Sequence, residues 1–589
     1  MNKKKRYKII LIVAGSIISI LCAGIFFIGL RWKPILRNTI ENTVINVSDS
    51  LYNINFSDID VNLFTGSVSL SNVELSKDSL IYEKMIKQRI APENTFNLKI
   101  KQLHISNLKP FQVYFKRYLD IQDITISEPE LLITYTRLKN KIKKPVDRRT
   151  TYEKIKNTLK SASLNKLTLK EVAFTYIDKS LKKPDITKVN RLNIHVNDIL
   201  IDSITQYDTT RIFHAKNIAA ELNDFHYPTA DSLYHVKIGR LNFSTAQKNL
   251  MVKDFELLPR YGEIAFSDLF ERQQDRYKIH FDSINLDNVN YLTLIDDRTV
   301  STQKLSLNGG KLSISLNRAK PKKLIDKGQN YPHLALKRVN WNVNADTVDI
   351  TKTDIHYTEY SADEFGKGTV SFYNLNGRIF NATNARTLLA KNKFIDAHMQ
   401  TSFMGKGKLN VHIKFDMLDQ NGAFQYKGSL DGMPLQALNP VSKPLAKIMF
   451  NSGQINRLDF SVKANLKGGG GTVTVTYDKL NVVLLKKDDD KNTFKKMGLI
   501  SLLANALIIK EDNPSKGEEV RVTSPYYARP SDASFFNLMW KVIFLGFKET
   551  IGITQKAETD FKEQSDKFKE MQKAKEERKL RRQKRKEKK

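Results

Sequence analysis

The 589 residues include a single cysteine, Cys22, so no disulfide can brace the chain from within. Short signatures of chemistry are missing as well. There is no Cys-x-x-Cys, no Walker sequence, no Gly-x-Gly-x-x-Gly after a strand pattern and no Gly-x-Ser-x-Gly elbow. The ten histidines stand singly, and no pair has the His-x-x-x-His spacing that sets two ligands on one helical face. Paired carboxylates such as Asp58 with Asp60, or Asp120 with Asp123, fall at polar strand positions, where solvation is their expected role. Four consecutive glycines at 468–471 lack the Gly-Lys-Ser/Thr ending of a phosphate-cradling loop, so they are read as a flexible hairpin tip before a strand opening at Thr472. These absences leave no catalytic residue, no cofactor and no metal site to name, and the chain is read as a non-enzyme.

Acidic residues are scarce, 63 against 96 Lys and Arg, for a net charge of +33. Such an excess calls for an anionic partner. No nucleic-acid-binding motif accompanies the charge, so anionic phospholipid or envelope polysaccharide is the expected partner and nucleic acid is not.

Long apolar runs are scarce too, and one stands out. Residues 9–30 carry no charge, and about 22 residues at ~1.5 Å each match the roughly 30 Å hydrocarbon core of a bilayer. The run is too long for the apolar region of a cleavable signal, so it is read as a retained transmembrane anchor. Lys3, Lys4, Lys5, Arg6 and Lys8 precede it, and Arg31, Lys33 and Arg37 follow more sparsely, which puts the N-terminus in the cytoplasm and the bulk of the chain across the membrane. Cys22 lies within the run after Leu21, and fits a small lipid-facing side chain better than an acylation site.

What the sequence has in abundance is one apolar pattern, φ-x-φ-x-x-φ-x-φ. It occurs at Val68, Leu70, Val73, Leu75, at Leu98, Ile100, Leu103, Ile105 and at Leu119, Ile121, Ile124, Ile126. Later copies include Leu167 to Phe174, Leu250 to Leu257, Ile279, Phe281, Ile284, Leu286, then Leu334, Leu336, Val339, Trp341 and finally Val475 to Val482. Alternation with period two keeps apolar side chains on one face of a strand, and the extra residue would reverse that face unless a bulge absorbs it. The expected fold is therefore mainly β: a curled antiparallel sheet with one apolar face. Pattern alone leaves open whether that face closes on another sheet or curls into a groove.

Around this sheet the chain divides into a basic cytoplasmic start (1–8), the anchor (9–30), two β regions (31–330 and 331–490), apolar helices (491–555) and a basic tail (556–589). A short amphipathic helix is expected over 34–52, and a hairpin about the turn Phe64-Thr65-Gly66-Ser67. A basic interval at 137–160 reads as a solvated loop and helix, and an irregular stretch at 318–333 as a soft subdivision. The helix over 535–553 is almost wholly apolar. It suits a membrane interface through Trp540, Phe544, Phe547, Lys541 and Lys548, or equally a cap on an open end of the β body. In the tail, Lys and Arg dominate, and a solvated segment attracted to anionic surfaces is expected.

The anchor followed by Ile54-Asn55-Phe56-Ser57-Asp58-Ile59-Asp60-Val61-Asn62-Leu63-Phe64-Thr65-Gly66-Ser67-Val68-Ser69-Leu70 resembles the AsmA-like proteins of the bacterial envelope, TamB-related members of the bridge-like lipid transfer group. Gly368-Thr369-Val370-Ser371-Phe372-Tyr373-Asn374-Leu375-Asn376-Gly377 renews the likeness. So do Leu435 to Pro440 and Tyr477-Asp478-Lys479-Leu480, and together they cover residues 1–485. The resemblance implies a single-pass inner-membrane protein whose periplasmic β-groove shields acyl chains, in phospholipid transport to the outer membrane or in outer-membrane homeostasis. It implies phospholipid and the inner membrane as partners, with room for an outer-membrane or envelope protein. The groove residues are then expected among the apolar positions, foremost Val68, Leu70, Leu98, Ile100, Leu119, Ile121, Ile279, Phe281, Leu334 and Leu336. The rival expectation is an envelope scaffold that assists outer-membrane protein assembly, with a closed β core and no lipid cargo.

Overall fold

At several copies of the repeat, those with Asn72, Glu171, Asp254 and Lys479, the extra residue is where the backbone turns left-handed. A computed structural model describes residues 32–553 apart from 63–64, 110–111, 139–148, 181–183, 230, 362–365, 489–492 and 498–508, together with isolated positions between 559 and 578. The anchor at 9–30, Cys22, most of the apolar run at 494–510 and nearly all of the tail lie outside the described residues. Among the described residues no helix is long and apolar enough to cross a membrane. The fold is mainly β and divides into two compact units, Met1–Leu257 with Ser283–Asp297, and Leu258–Asp282 with Arg298–Lys589.

In the first unit, β1 (Tyr52–Asn55) and β2 (Asp58–Asn62) both pair with β3 (Ser67–Lys77), and so act as one strand broken at Phe56 and Ser57. There follow β4 (Asn94–Ser106), β5 (Tyr118–Tyr135), β6 (Ser161–Asp178), β7 (Asp185–Ile201), β8 (Ala215–Pro228), β9 (Tyr234–Ser244) and β10 (Asn249–Pro259). From β3 to β9 neighbours pair antiparallel, with one departure from the expected sheet, the parallel pair β5 and β6, and β10 pairs with β9. A parallel join needs a crossover of a dozen or more residues. The basic interval 137–160 belongs to that crossover, and its short helix Thr151–Ile155 is held by a capping box of Thr150 and Glu153.

Asn72, Glu128, Glu171, Arg191, Asp224 and Asp254 all have φ between 49° and 55°. Each stands at the extra position of its strand, and the registers bring them level: Asn72 and Glu128 flank Lys101, Glu128 lies beside Glu171, and Arg191 pairs with Asp224 at 2.9 Å. Each is exposed. Placing the surplus residue in the left-handed region lets the strand skip a step without swapping its faces. A crease thus crosses the sheet while the apolar side stays apolar on both flanks.

The second unit repeats the device. The first residues of β11 (Arg276–Asp287) pair antiparallel with β13 (Lys311–Asn317). β12 (Thr299–Asn308) and β13 both lie parallel to β14 (Asn342–Tyr360), one strand interrupted at Gly309 and Gly310 near left-handed Lys352. An antiparallel meander continues through β15 (Lys367–Thr383), β16 (Phe394–Phe403), β17 (Gly407–Asp416), β18 (Phe424–Pro434), β19 (Ile448–Ala464) and β20 (Gly468–Asp488). Three short strands, β21 (Thr493–Lys496), β22 (Val522–Thr523) and β23 (Tyr526–Ala528), pair with β20.

Several expectations are corrected here. The stretch 318–333 is no subdivision, because it lies in the crossover that makes β13 and β14 parallel within one unit. Leu334 and Leu336 are not on a strand: Pro332 fixes the first turn of the helix Pro332–Lys337, which carries both. Glycines 468–471 form no hairpin tip. They open β20, and a Cβ on Gly471 would sit 2.0 Å from the Ser461 carbonyl oxygen of β19. The interval 491–555 holds three strands beside the helix Phe535–Thr550.

Each unit has its own buried cluster. In the first, the helix Trp32–Val47 contributes Ile40 and Val44 to a core with Val68, Leu70, Ile105, Ile121 and Ile124. In the second, Leu538 and Val542 of the helix Phe535–Thr550 join Tyr426, Val462, Val473 and Tyr477. His333 is buried in that second cluster, its ring 4.9 Å from that of Phe415. Burial is the main force pushing its pKa down to about 4; Lys337 acts the same way, while the Gly422 backbone, Asp416 and Asp419 offset part of the shift. A histidine less basic when folded than when unfolded leaves the unfolded state binding more protons between those values. Stability of this unit is therefore expected to fall as pH drops from about 6.5 to 4, by up to about 3 kcal/mol. In urea titrations across that window His333→Phe should flatten the slope, and an unchanged slope would assign the effect to other groups.

Candidate functional site

Strand register sets the apolar side chains in rungs that cross the sheet. One rung of the first unit is Val68, Ile105, Ile124, Leu167, Val196 and Ile218, each directly opposite the next. Another is Leu70, Leu103, Ile126, Leu169, Ile194, Ala220 and Phe243. Burial changes along both. Val68, Ile105 and Ile124 are at most 1% exposed, whereas Leu167, Val196 and Ile218 on the later strands of the same rung are only half-buried. Among the described residues the later side chains, from Leu169 through β10, belong to neither buried cluster, although Val172, Ala220, Leu222 and Val252 are each buried. Side chains from the helices Trp32–Val47 and Ser79–Lys87 and from the crossover, including Ile40, Tyr82 and Leu159, pack with the early strands. Phe174, Phe225, Val236, Ile238 and Leu241 extend the half-buried surface.

In the second unit the gradient runs the other way along the chain. Ile279, Leu312, Ile355, Phe372 and Phe403 form one rung. Its first three members are half-buried, Phe372 packs against the core and Phe403 is buried. Near the uncovered members lies a polar cluster in which Tyr357 donates to Glu359 at 2.9 Å and Arg318 pairs with Glu359 at 3.2 Å. Burial pushes both the Tyr357 hydroxyl and the Asp275 carboxyl up, the latter against the pull of Lys327 and Lys323. Both groups are thereby kept neutral more readily than in water.

The structure sorts the expected groove residues into three places. Val68, Leu70, Ile100, Leu119 and Ile121 are buried in the first core, and Leu98 packs against it, so these six line a dry end and no open groove. Ile279 and Phe281 lie on the half-buried surface of the second unit. Leu334 and Leu336 pack from their helix against the second core. Residues such as Ile194, Val196, Ile218 and Phe243, which present the uncovered face, have the same pattern as the covered ones. What distinguishes them is distance along the chain from the helices near either end of the β body.

The helix Phe535–Thr550 caps. Leu538, Val542, Gly546 and Thr550, four apart, are buried against the sheet, and Tyr426 donates to the Met539 carbonyl at 3.1 Å. Phe547 packs on the same core, with its ring 6.2 Å from that of Tyr477. Trp540 is exposed, stacks on Phe544 at 6.0 Å, and Lys541 sits over the Phe544 ring at 5.8 Å. Lys548 is half-buried near the helix end. No protein-family model matches this chain, and no curated protein matches it.

Proposed function

We propose that this is a membrane-anchored, AsmA-like envelope protein whose uncovered apolar rungs shelter phospholipid acyl chains, in lipid transport between the inner and outer membranes or in outer-membrane homeostasis. One observation carries the reading: rungs that are dry at one end of each unit continue, in register, into mostly half-buried apolar side chains that, among the described residues, neither buried cluster takes up. Each acyl CH₂ kept from water contributes about 0.8 kcal/mol, so such a face lowers the barrier to moving a lipid through an aqueous gap. No residue is required to be catalytic. The polar face, laced with exposed pairs such as Lys101 with Glu128 and Arg191 with Asp224, keeps the other side wetted.

The closed cluster in each unit favours the rival reading of a scaffold without cargo. Mass spectrometry of lipid extracted from gently purified full-length chain separates them, together with a photo-crosslinking residue placed at Ile194, at Phe243 or at Val68. Phospholipid adducts at the first two positions and none at Val68 are the expected result. Lipid-free protein with no adduct at any position would leave the scaffold. A periplasm-active reporter after residue 589 tests the orientation.

A further inference from the structure

We infer that Asp396, His398 and His412 form a binding site for a divalent transition-metal ion of the zinc class, on the polar face of the β16–β17 hairpin. The hairpin turns about Gly405, and its register sets His398 directly opposite His412. Their rings stack with centroids 4.1 Å apart at 12°. Asp396, two residues before His398, shares their face, and its Oδ1 lies 2.8 Å from Nε2 of His398 and 2.6 Å from Nε2 of His412. The three donor atoms all fall within 4.8 Å of one another.

That geometry is close to what an ion would ask for. Ligand atoms ~2.1 Å from a tetrahedral zinc ion lie ~3.4 Å apart, so the two carboxylate–imidazole gaps would open by roughly 0.6 and 0.8 Å, within reach of side-chain torsions. Two imidazoles and one carboxylate suit zinc, copper and nickel better than magnesium or calcium, and leave a fourth position for water. The donors sit on paired strands, which hold them more firmly than a loop would. Two of the neighbouring cations are engaged elsewhere. Arg378, opposite His398, is tied to Asp349 at 2.6 Å, and Lys414, opposite Asp396, has its ammonium 4.1 Å from the centroid of the Phe394 ring. Lys427 faces His412 from β18 and would weaken binding without blocking the donors. A search along the sequence misses this set because the imidazoles meet across a hairpin rather than along a helix. The register about Gly405, in which paired positions add to one constant, is the signal that would have found them.

The test uses full-length, untagged chain in detergent, stripped with chelator and titrated with Zn²⁺ against a chromogenic competitor. Wild type should bind one equivalent more than the His398→Gln/His412→Gln double variant. Either single variant should weaken that equivalent by about tenfold or more. Co²⁺ should give visible d–d absorption in wild type that Asp396→Asn alters and the double variant loses. Circular dichroism checks the fold of each variant, and the Co²⁺ spectrum of wild type stands as a readout should a variant unfold. Equal stoichiometry in wild type and double variant, or a wild type with neither micromolar Zn²⁺ binding nor a Co²⁺ spectrum, overturns the site and leaves a hydrogen-bonded cluster.

Discussion

Leu70→Asp is expected to unfold the first unit, whereas Ile194→Asp, on the same rung, leaves it folded and strips it of lipid. Leu70 is 0% exposed among Ile59, Leu103 and other members of the first cluster. Deleting a buried leucine side chain costs about 2–5 kcal/mol, and a carboxylate forced into its place adds several more. A total stability of roughly 5–15 kcal/mol does not survive that. Ile194 is half-buried and belongs to no cluster, so its carboxylate can reach water and the cost should be about 1 kcal/mol. Thermal unfolding followed by circular dichroism reads the first difference, and lipid recovered per mole of protein reads the second. A folded Ile194→Asp chain that retains its full lipid would sink the acyl-chain reading while leaving the description of the core intact. Phe281→Asp offers the same comparison in the second unit, while Leu336→Asp, which strikes a helix packed on the core, should act like Leu70→Asp.

Gly546→Leu should release the helix Phe535–Thr550 from the sheet. A Cβ at this position would lie 2.5 Å from Cβ of Val473, so the helix rests on the strand only because residue 546 has no side chain. Leucine must push the helix away, and Leu538, Val542 and Phe535 lose their burial with it. Losing a buried apolar side chain of this kind costs about 2–5 kcal/mol for each residue. The expected signs are new protease cleavage within 535–550 and, under the lipid reading, more lipid per chain, since the rungs of β17 to β20 become accessible. Cleavage and stability equal to wild type would show that the helix is not seated by this close approach.

Much of this was legible in the residues. Period-two spacing placed most of the strands, and the surplus position in φ-x-φ-x-x-φ-x-φ marked several of the left-handed residues. At Asn72, Asp224 and Asp254 a residue type that tolerates the left-handed region reinforced it. Glu171, Arg191 and Lys479 take the same conformation with no such preference, so their backbone is imposed by the ladder on either side. Strand pairing was less readable. A strand's pattern records which face is apolar and says nothing of whether its neighbour runs up or down, which is why the parallel joins at β5–β6 and β13–β14 were invisible. The covered and uncovered parts of a rung also look alike in sequence, because Leu70 and Ile194 differ only in what lies on top of them. A short apolar alternation at Leu334 and Leu336 read as a strand, although Pro332 two residues earlier starts a helix.

The crease of left-handed residues has a mechanical consequence. A barrel holds its curve by joining its edges, and a sandwich by leaning on a second sheet. Here β3, β5, β6, β7, β8 and β10 each carry a left-handed residue of their own, so part of the bend is set within the strand rather than by packing across the sheet. Under the lipid reading, strands bent in this way would hold their form when an acyl chain leaves them.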